Sequence, residues 1–138
     1  AIRAVKDAVS IPVIANGDIV DAAAAKAALA LSGCDGVMVG RGAQGTPWRL
    51  AEIAHALGWG AAPKVPEGRA FVDIVRAHFE DTIAFYGEQL GGRVVRKHLG
   101  WYMDLVETRP TLRKAVLTSD VGQVRRLLPD AMSMQVAA

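Results

Sequence analysis

Ile11-Pro12-Val13-Ile14-Ala15-Asn16-Gly17-Asp18 and Gly36-Val37-Met38-Val39-Gly40-Arg41-Gly42 are two short apolar runs, each ending in a glycine-bearing polar turn. Between them lies an alanine-rich segment, Asp21 to Leu31, closed by Ser32-Gly33. Strand, turn, helix, strand, turn describes a βα unit with a parallel partner strand. Both turns follow the C-terminal ends of their strands, so they are expected on one edge of the sheet. Gly17, Gly40 and Gly42 let the backbone come close and aim its N–H groups at one point. Arg41 adds a planar, permanently charged fork suited to phosphate oxygens, and Asn16 offers a donor and an acceptor. Either tripeptide alone also fits an ordinary βα turn with Arg41 solvated. The recurrence of the pattern 24 residues apart favours an anion site.

Working outward, Ile2, Val5 and Val9 fall on one helical face ahead of the first strand. Thr46-Pro47 predicts a helix start, a capping hydroxyl followed by proline at the first helical position. That helix should run to about Leu57, bury some of Trp48, Ile53 and Leu57, and end at Gly58-Trp59-Gly60. Residues 58–66 read as a linker. Beyond it, Phe71, Ile74, Val75, His78, Phe79, Ile83, Tyr86 and Leu90 recur at helical spacing, predicting an amphipathic helix from Gly68 to Leu90 that Gly91-Gly92 stops. A second helix follows from Arg93 to Val106, with Val95, Leu99, Tyr102 and Val106 as its seam. Pro110 should start a third, and Ser119 or Asp120 should cap a fourth that Pro129 ends or kinks. The tail from Asp130 is expected to fray. Short connections between four helices predict a small four-helix bundle.

The 138 residues are 51% hydrophobic and carry a net charge of +2. Residues 1–60 balance five Lys/Arg against five Asp/Glu, so the excess lies wholly in residues 61–138, with eleven against nine. An excess this small makes clustering the informative feature. Arg93, Arg96 and Lys97 put three cations within five residues, beside the small Gly100. Such a face suits phosphate contacts to a structured RNA; a merely solvated face has the same composition. His98 adjoins it, either to meet a base or phosphate or as a structural histidine. His55 and His78 have no evident partners and read as structural. One of Trp101 and Tyr102 should anchor the core while the other stays partly exposed. A single cysteine, Cys34, excludes an intramolecular disulfide, reads as a buried filler, and leaves no zinc motif. No apolar run is long enough for a bilayer span and no signal peptide is visible, so a soluble cytoplasmic protein is expected.

The stretch from Ile11 to Ile19, Gly33 to Ala43 and Thr46-Pro47-Trp48 resembles the tRNA-dihydrouridine synthases, and Arg96-Lys97-His98-Leu99-Gly100-Trp101-Tyr102 resembles their bacterial B type. The resemblance extends from about Ile2 to beyond Arg113. It implies α/β plus all-α architecture: the last two βα units of a (β/α)8 TIM barrel in residues 1–57, the linker, and a helical tRNA-binding domain over residues 67–138. A full barrel takes about 250 residues, so the chain is expected to be a C-terminal fragment wanting about six units. The family reduces the C5–C6 bond of particular uridines in tRNA, using FMN and NADPH. The resemblance assigns the FMN phosphate to Asn16, Gly17, Asp18, Gly40 and Arg41, and RNA contact to Arg93, Arg96, Lys97 and His98. Asp18 beside a phosphate is expected to act through its backbone or by orienting Arg41. The family's catalytic cysteine, the proton donor to uracil, belongs to an earlier strand, so the chain alone is expected to be inactive. Its unpaired sheet edges favour a homodimer or a strand-exchanged oligomer. Two alternatives share parts of the pattern: another FMN-dependent barrel oxidoreductase, and a non-enzymatic RNA-binding module of the nitrogen-regulation kind.

Overall fold

The computed structural model describes residues 1–133. The chain divides into two compact units, Ala1–Val65 and the residues from Pro66 onward.

The first unit is a βα unit with flanking helices. Its elements are α1 (Ile2–Ala8), β1 (Ile14–Asn16), α2 (Ala22–Ser32), β2 (Gly36–Met38), a 3-10 turn (Arg41–Ala43) and α3 (Arg49–Ala56). The strands are parallel, pairing Ile14 with Gly36, Ala15 with Val37 and Asn16 with Met38. Their register is clamped just ahead of the pairing. Asp35 N–H donates to the Val13 carbonyl at 2.9 Å, and Val13 N–H donates back to Asp35 Oδ2 at 2.7 Å. Lys6 Nζ completes the clamp at 2.7 Å from the same oxygen. The Lys6 hydrogen bond, and then the Val13 N–H, hold the Asp35 carboxyl below its ordinary range.

Local chemistry accounts for α2. The Asp21 carboxylate accepts from Ala24 N–H at 2.7 Å, satisfying an orphan donor of the first turn. Gly33 ends the helix in the left-handed region (φ 70°) and donates to the Leu29 carbonyl. Arg3 then donates to the Leu31 and Ala30 carbonyls at 3.0 and 2.9 Å. Alanines on α2 permit a close approach to a small core of Ile19, Ala25 and Ile53, lined by Val37, Val39 and Leu57. Ile2, Val5, Val9, Ile14 and Met38 stay exposed, and the sheet face that carries Ile14 and Met38 has no full cover within this unit.

The expected cap at Thr46 is not made. Helix α3 begins at Arg49, and the Thr46 hydroxyl donates instead to the Gly42 carbonyl at 3.3 Å. The 3-10 turn draws Thr46 inward, and the chain turns once more before the helix.

The second unit contains α4 (Gly68–Leu105), α5 (Pro110–Thr118) and α6 (Val121–Ala131). Helix α4 is two limbs joined at Gly87, whose φ of 75° and ψ of 165° are not helical. The expected stop at Gly91-Gly92 is therefore displaced. Gly91 lies inside the second limb, where a Cβ would stand 2.9 Å from the Thr82 carbonyl oxygen and 3.1 Å from Ile83 Cα. Its missing side chain lets the limbs touch backbone to backbone. Phe71, Val75, Phe79 and Ile83 are buried from the first limb, and Val95, Leu99, Tyr102 and Met103 from the second. Ile74, Tyr86 and Leu90, expected in the seam, are instead exposed.

Pro110 opens α5, and Asp120 caps α6 by accepting from Gln123 N–H at 2.8 Å. Pro129 does not end α6, which continues to Ala131. Nor does the chain fray at Asp130: Ala131 and Met132 are fully buried, and the Thr108 hydroxyl donates to the Ala131 carbonyl. The rest of the expected tail lies outside the described residues.

Candidate functional site

The two strand-end turns meet as the sheet topology requires. Asn16, Gly17, Asp18, Gly40, Arg41 and Gly42 line one cleft of about 330 Å³ at the C-terminal edge of the sheet. Gly17 (φ 146°) and Asp18 (φ 47°) carry the backbone through conformations that turn it sharply after β1. After β2 the turn is stiffened by Ala43 N–H to the Gly40 carbonyl and Gln44 N–H to the Arg41 carbonyl, each 3.1 Å. The two turns touch at Gly42, where a Cβ would lie 2.5 Å from the Ile19 carbonyl oxygen and 2.7 Å from Val20 Cα. At Gly17 and Gly40, by contrast, an added Cβ would meet nothing within 4 Å.

Arg41 forms an ion pair with Asp18 across the cleft. Both side chains are about four-fifths exposed (80% and 81%), so water screens the pair and it contributes little to stability. Its consequence is geometric, because a carboxylate on one turn holds the guanidinium of the other. A guanidinium has five donors, so this pair does not exhaust its capacity for an anion.

The basic segment is arranged less simply than its sequence. Arg93 and Lys97 project from the outer face of the second limb, and Lys97 Nζ lies 5.9 Å from the Trp101 ring centroid. Arg96 turns toward α6, donating to the Ser119 carbonyl at 3.5 Å. It borders, with Arg93, Ser119 and Asp120, a cavity of about 420 Å³. Arg113 closes the other side of Gly100, donating to its carbonyl at 3.0 Å and pairing with Asp104 at 2.7 Å.

His98 leaves this face and joins an aromatic cluster. Its ring stands edge-on to His78 and to Trp101, both at 5.0 Å. His78, expected to lack partners, has Nδ1 3.1 Å from the Tyr102 hydroxyl. Sequence spacing hid this contact because it crosses between the limbs. Burial lowers the His98 pKa below its ordinary 6.5, with repulsion from His78 and Lys97 adding to the shift. Burial also raises the Tyr102 pKa. The unfolded chain therefore takes up the His98 proton first, and the folded state should lose stability as pH falls below about 6.5. Thermal melts at pH 7.5 and 5.5 should show this loss, and His98→Phe should reduce it. An unchanged pH response in that variant would remove His98 as its source.

Cys34 is buried, as its sequence context suggests, and its N–H donates to the Ser32 hydroxyl. Among the described residues no three His, Cys, Asp or Glu side chains are grouped to hold a metal ion. No helix among them is long and apolar enough to cross a membrane.

One chain thus carries a parallel βα unit whose two strand-end turns share a cleft and a helical unit with a cluster of exposed cations. The chain belongs to the dihydrouridine synthase (Dus) family, whose sequence profile matches residues 1–132. It is 51% identical over its whole length to a probable tRNA-dihydrouridine synthase of Rhodobacter capsulatus, covering 42% of that protein. It is 48% identical over 83% of its length to a probable tRNA-dihydrouridine synthase of Rickettsia conorii, covering 35% of that protein. It is 46% identical over 79% of its length to tRNA-dihydrouridine synthase B of Pseudomonas putida, covering 32% of it. The chain thus spans about two fifths or less of the length of these curated relatives.

Proposed function

We propose that the protein containing this chain is a flavin-dependent oxidoreductase that reduces the C5–C6 bond of particular uridines in tRNA, with NADPH as reductant. Residues 1–57 are its FMN-binding part, the last two βα units of a (β/α)8 barrel. Residues 58–66 are the linker, and residues 67–138 a domain, helical over most of its described residues, that binds tRNA. The observation carrying this reading is the pair of turns on one sheet edge, with Arg41 held by Asp18, in a chain of this family.

The residues fit a flavin phosphate. Gly17 and Gly40 leave open the space that their side chains would fill. Arg41 brings the charge, Asn16 a donor, and Asp18 restrains Arg41 rather than facing the phosphate with its own charge. Bound FMN would supply the hydride chemistry, which the protein orients rather than performs. The acid that protonates the uracil lies outside these 138 residues, so the chain alone does not turn over. On the helical unit, Arg93, Arg96 and Lys97 meet RNA phosphates, while His98 supports Trp101 from behind. With tRNA as partner, the cytoplasm is the compartment.

Dihydrouridine in tRNA from a strain lacking the gene tests the activity. Loss at a subset of positions, restored by the intact gene, is expected; an unchanged content would overturn the assignment. Arg41 tests the cofactor site. A charge-assisted contact contributes about 1.5–3 kcal/mol, so Arg41→Ala in the intact protein should weaken FMN binding roughly ten- to a hundredfold. Wild-type FMN retention on gel filtration would remove Arg41 from the site.

The uncovered side of the first unit, with Ile14 and Met38 about half exposed (54% and 51%), belongs to the same proposal. In the intact protein the other barrel units cover it, and in the isolated chain a second copy does so. Light scattering should give a dimer for this chain; a monomer at micromolar concentration would show that the surface needs no cover.

A further inference from the structure

The helical unit bears an aromatic surface that the proposed function leaves unused. At the end of the first limb of α4, Phe85 is 80% exposed and Tyr86 46% exposed. Their rings stand edge-to-face at 4.8 Å. Gly87 turns the chain immediately afterwards, with a φ of 75° that disfavours any other residue. The backbone contact of Gly91 with Thr82 and Ile83 braces the tip from within. The two rings are therefore presented on a stiff helical hairpin, not on a long loop.

The second limb carries an exposed stripe of its own. Leu90, Arg93, Lys97 and Trp101 follow at spacings of three, four and four, which places them on one helical face. Leu90 is 52% exposed, Arg93 and Lys97 are exposed, and Trp101 is half-buried under the Lys97 ammonium. Among the described residues, Arg93 and Lys97 have no ion-pair partner. The limb's two carboxylates do: Glu88 lies 3.8 Å from Arg125, and Asp104 lies 2.7 Å from Arg113. Arginines from α5 and α6 thus offset the acids, leaving Leu90 and Trp101 interspersed with cations that have no ion-pair partner. The face spans roughly 16 Å from Leu90 to Trp101 at the helical rise.

A base inside a duplex has both faces covered by its neighbours, whereas an unpaired base offers a face to an aromatic ring. We propose that this face binds an unpaired segment of RNA, its bases stacking on Phe85–Tyr86 and on Trp101 and its phosphates meeting Arg93 and Lys97. The inference rests on the RNA-binding role given to the helical unit and deepens it from duplex-indifferent phosphate contact to a preference for single strands.

The test uses the full chain, a short fluorescein-labelled single-stranded RNA of mixed sequence, and the same RNA as a blunt duplex. Fluorescence polarisation is followed across a salt series. The wild type should prefer the single strand. Phe85→Ala with Tyr86→Ala should lower single-strand affinity by roughly tenfold or more, with the salt slope kept. Phe85→Trp with Tyr86→Trp should restore it. Arg93→Ala with Lys97→Ala should instead flatten the slope, by roughly 0.7 for each phosphate that the variant no longer neutralises. Circular dichroism on each variant confirms that α4 is intact. Wild-type binding of equal strength to both RNAs would overturn the inference while leaving the RNA role standing. So would an aromatic double variant that binds the single strand normally, including one that changes only the oligomeric state. Failure of the wild type to bind either RNA would remove the RNA role itself.

Discussion

Gly42→Val should cost the protein the turn after β2 and, on the proposed function, its hold on FMN. A Cβ at this position falls 2.5 Å from the Ile19 carbonyl oxygen and 2.7 Å from Val20 Cα. Both obstacles are backbone, so no side-chain rotation relieves them, and the turns after β1 and β2 must separate. Overpacking of this kind costs about 3 kcal/mol or somewhat more. Because Asn16 and Arg41 sit on opposite turns, separation also breaks the cradle, and FMN affinity should fall by more than about a hundredfold, equivalent to about 2.7 kcal/mol. Gly40→Ala is the informative contrast. No atom lies within 4 Å of its added Cβ, so the fold should be unharmed while the approach of a phosphate is obstructed. Thermal denaturation and FMN retention on the two variants separate steric support from cofactor contact. A Gly42→Val protein that melts and binds FMN like the wild type would disprove the packing account.

The second large effect is expected at Gly91→Val in the helical unit. Its Cβ would stand 2.9 Å from the Thr82 carbonyl oxygen, and the Cβ branch would press further on Ile83. The limbs of α4 must part, opening the packing beside Phe79 and Val95, both about 1% exposed. A loss of about 3 kcal/mol follows from overpacking a tight core, and chemical denaturation monitored by circular dichroism will register it. At the neighbouring Gly92 an added Cβ meets only Val121 Cγ2, at 3.3 Å, a methyl that can shift. Gly92→Ala should therefore be neutral or stabilising, by up to about 1 kcal/mol of helix propensity. Equal effects at the two positions would rule out the close-approach role of Gly91.

Features governed by neighbouring residues were legible in the sequence. The Gly33 terminus, the start of α5 at Pro110 and the Asp120 cap each depend on residues within one turn. The parallel strands were legible for the same reason, since two apolar runs flanking an alanine-rich helix admit few arrangements. That topology also places both glycine turns on one edge, so the membership of the cleft followed from the order of elements along the chain.

Glycine alone does not say whether it turns the backbone or admits a neighbour. Gly91-Gly92 has the composition of a helix stop, yet the limb of α4 passes through it because Thr82 and Ile83 occupy the space a side chain would need. The turn falls at the less conspicuous Gly87. Likewise Thr46 has the chemistry of a cap, but the 3-10 turn offers its hydroxyl the Gly42 carbonyl instead. Ala131 and Met132 are ordinary tail residues by composition, and only the packing of α6 buries them. One of the two roles expected of Asp18, orienting Arg41, has its contact in the structure, but the pairing of His78 with Tyr102 spans 24 residues. Local pattern carries no information on such separations. The Gly33 and Asp120 helix ends, the strand pairing and the common edge of the two turns were thus determined by the sequence through short-range chemistry and the order of elements. Which glycines bear contacts, which charges hold one another and which aromatics remain uncovered were decided by the tertiary structure, because each depends on residues brought together only when the elements pack.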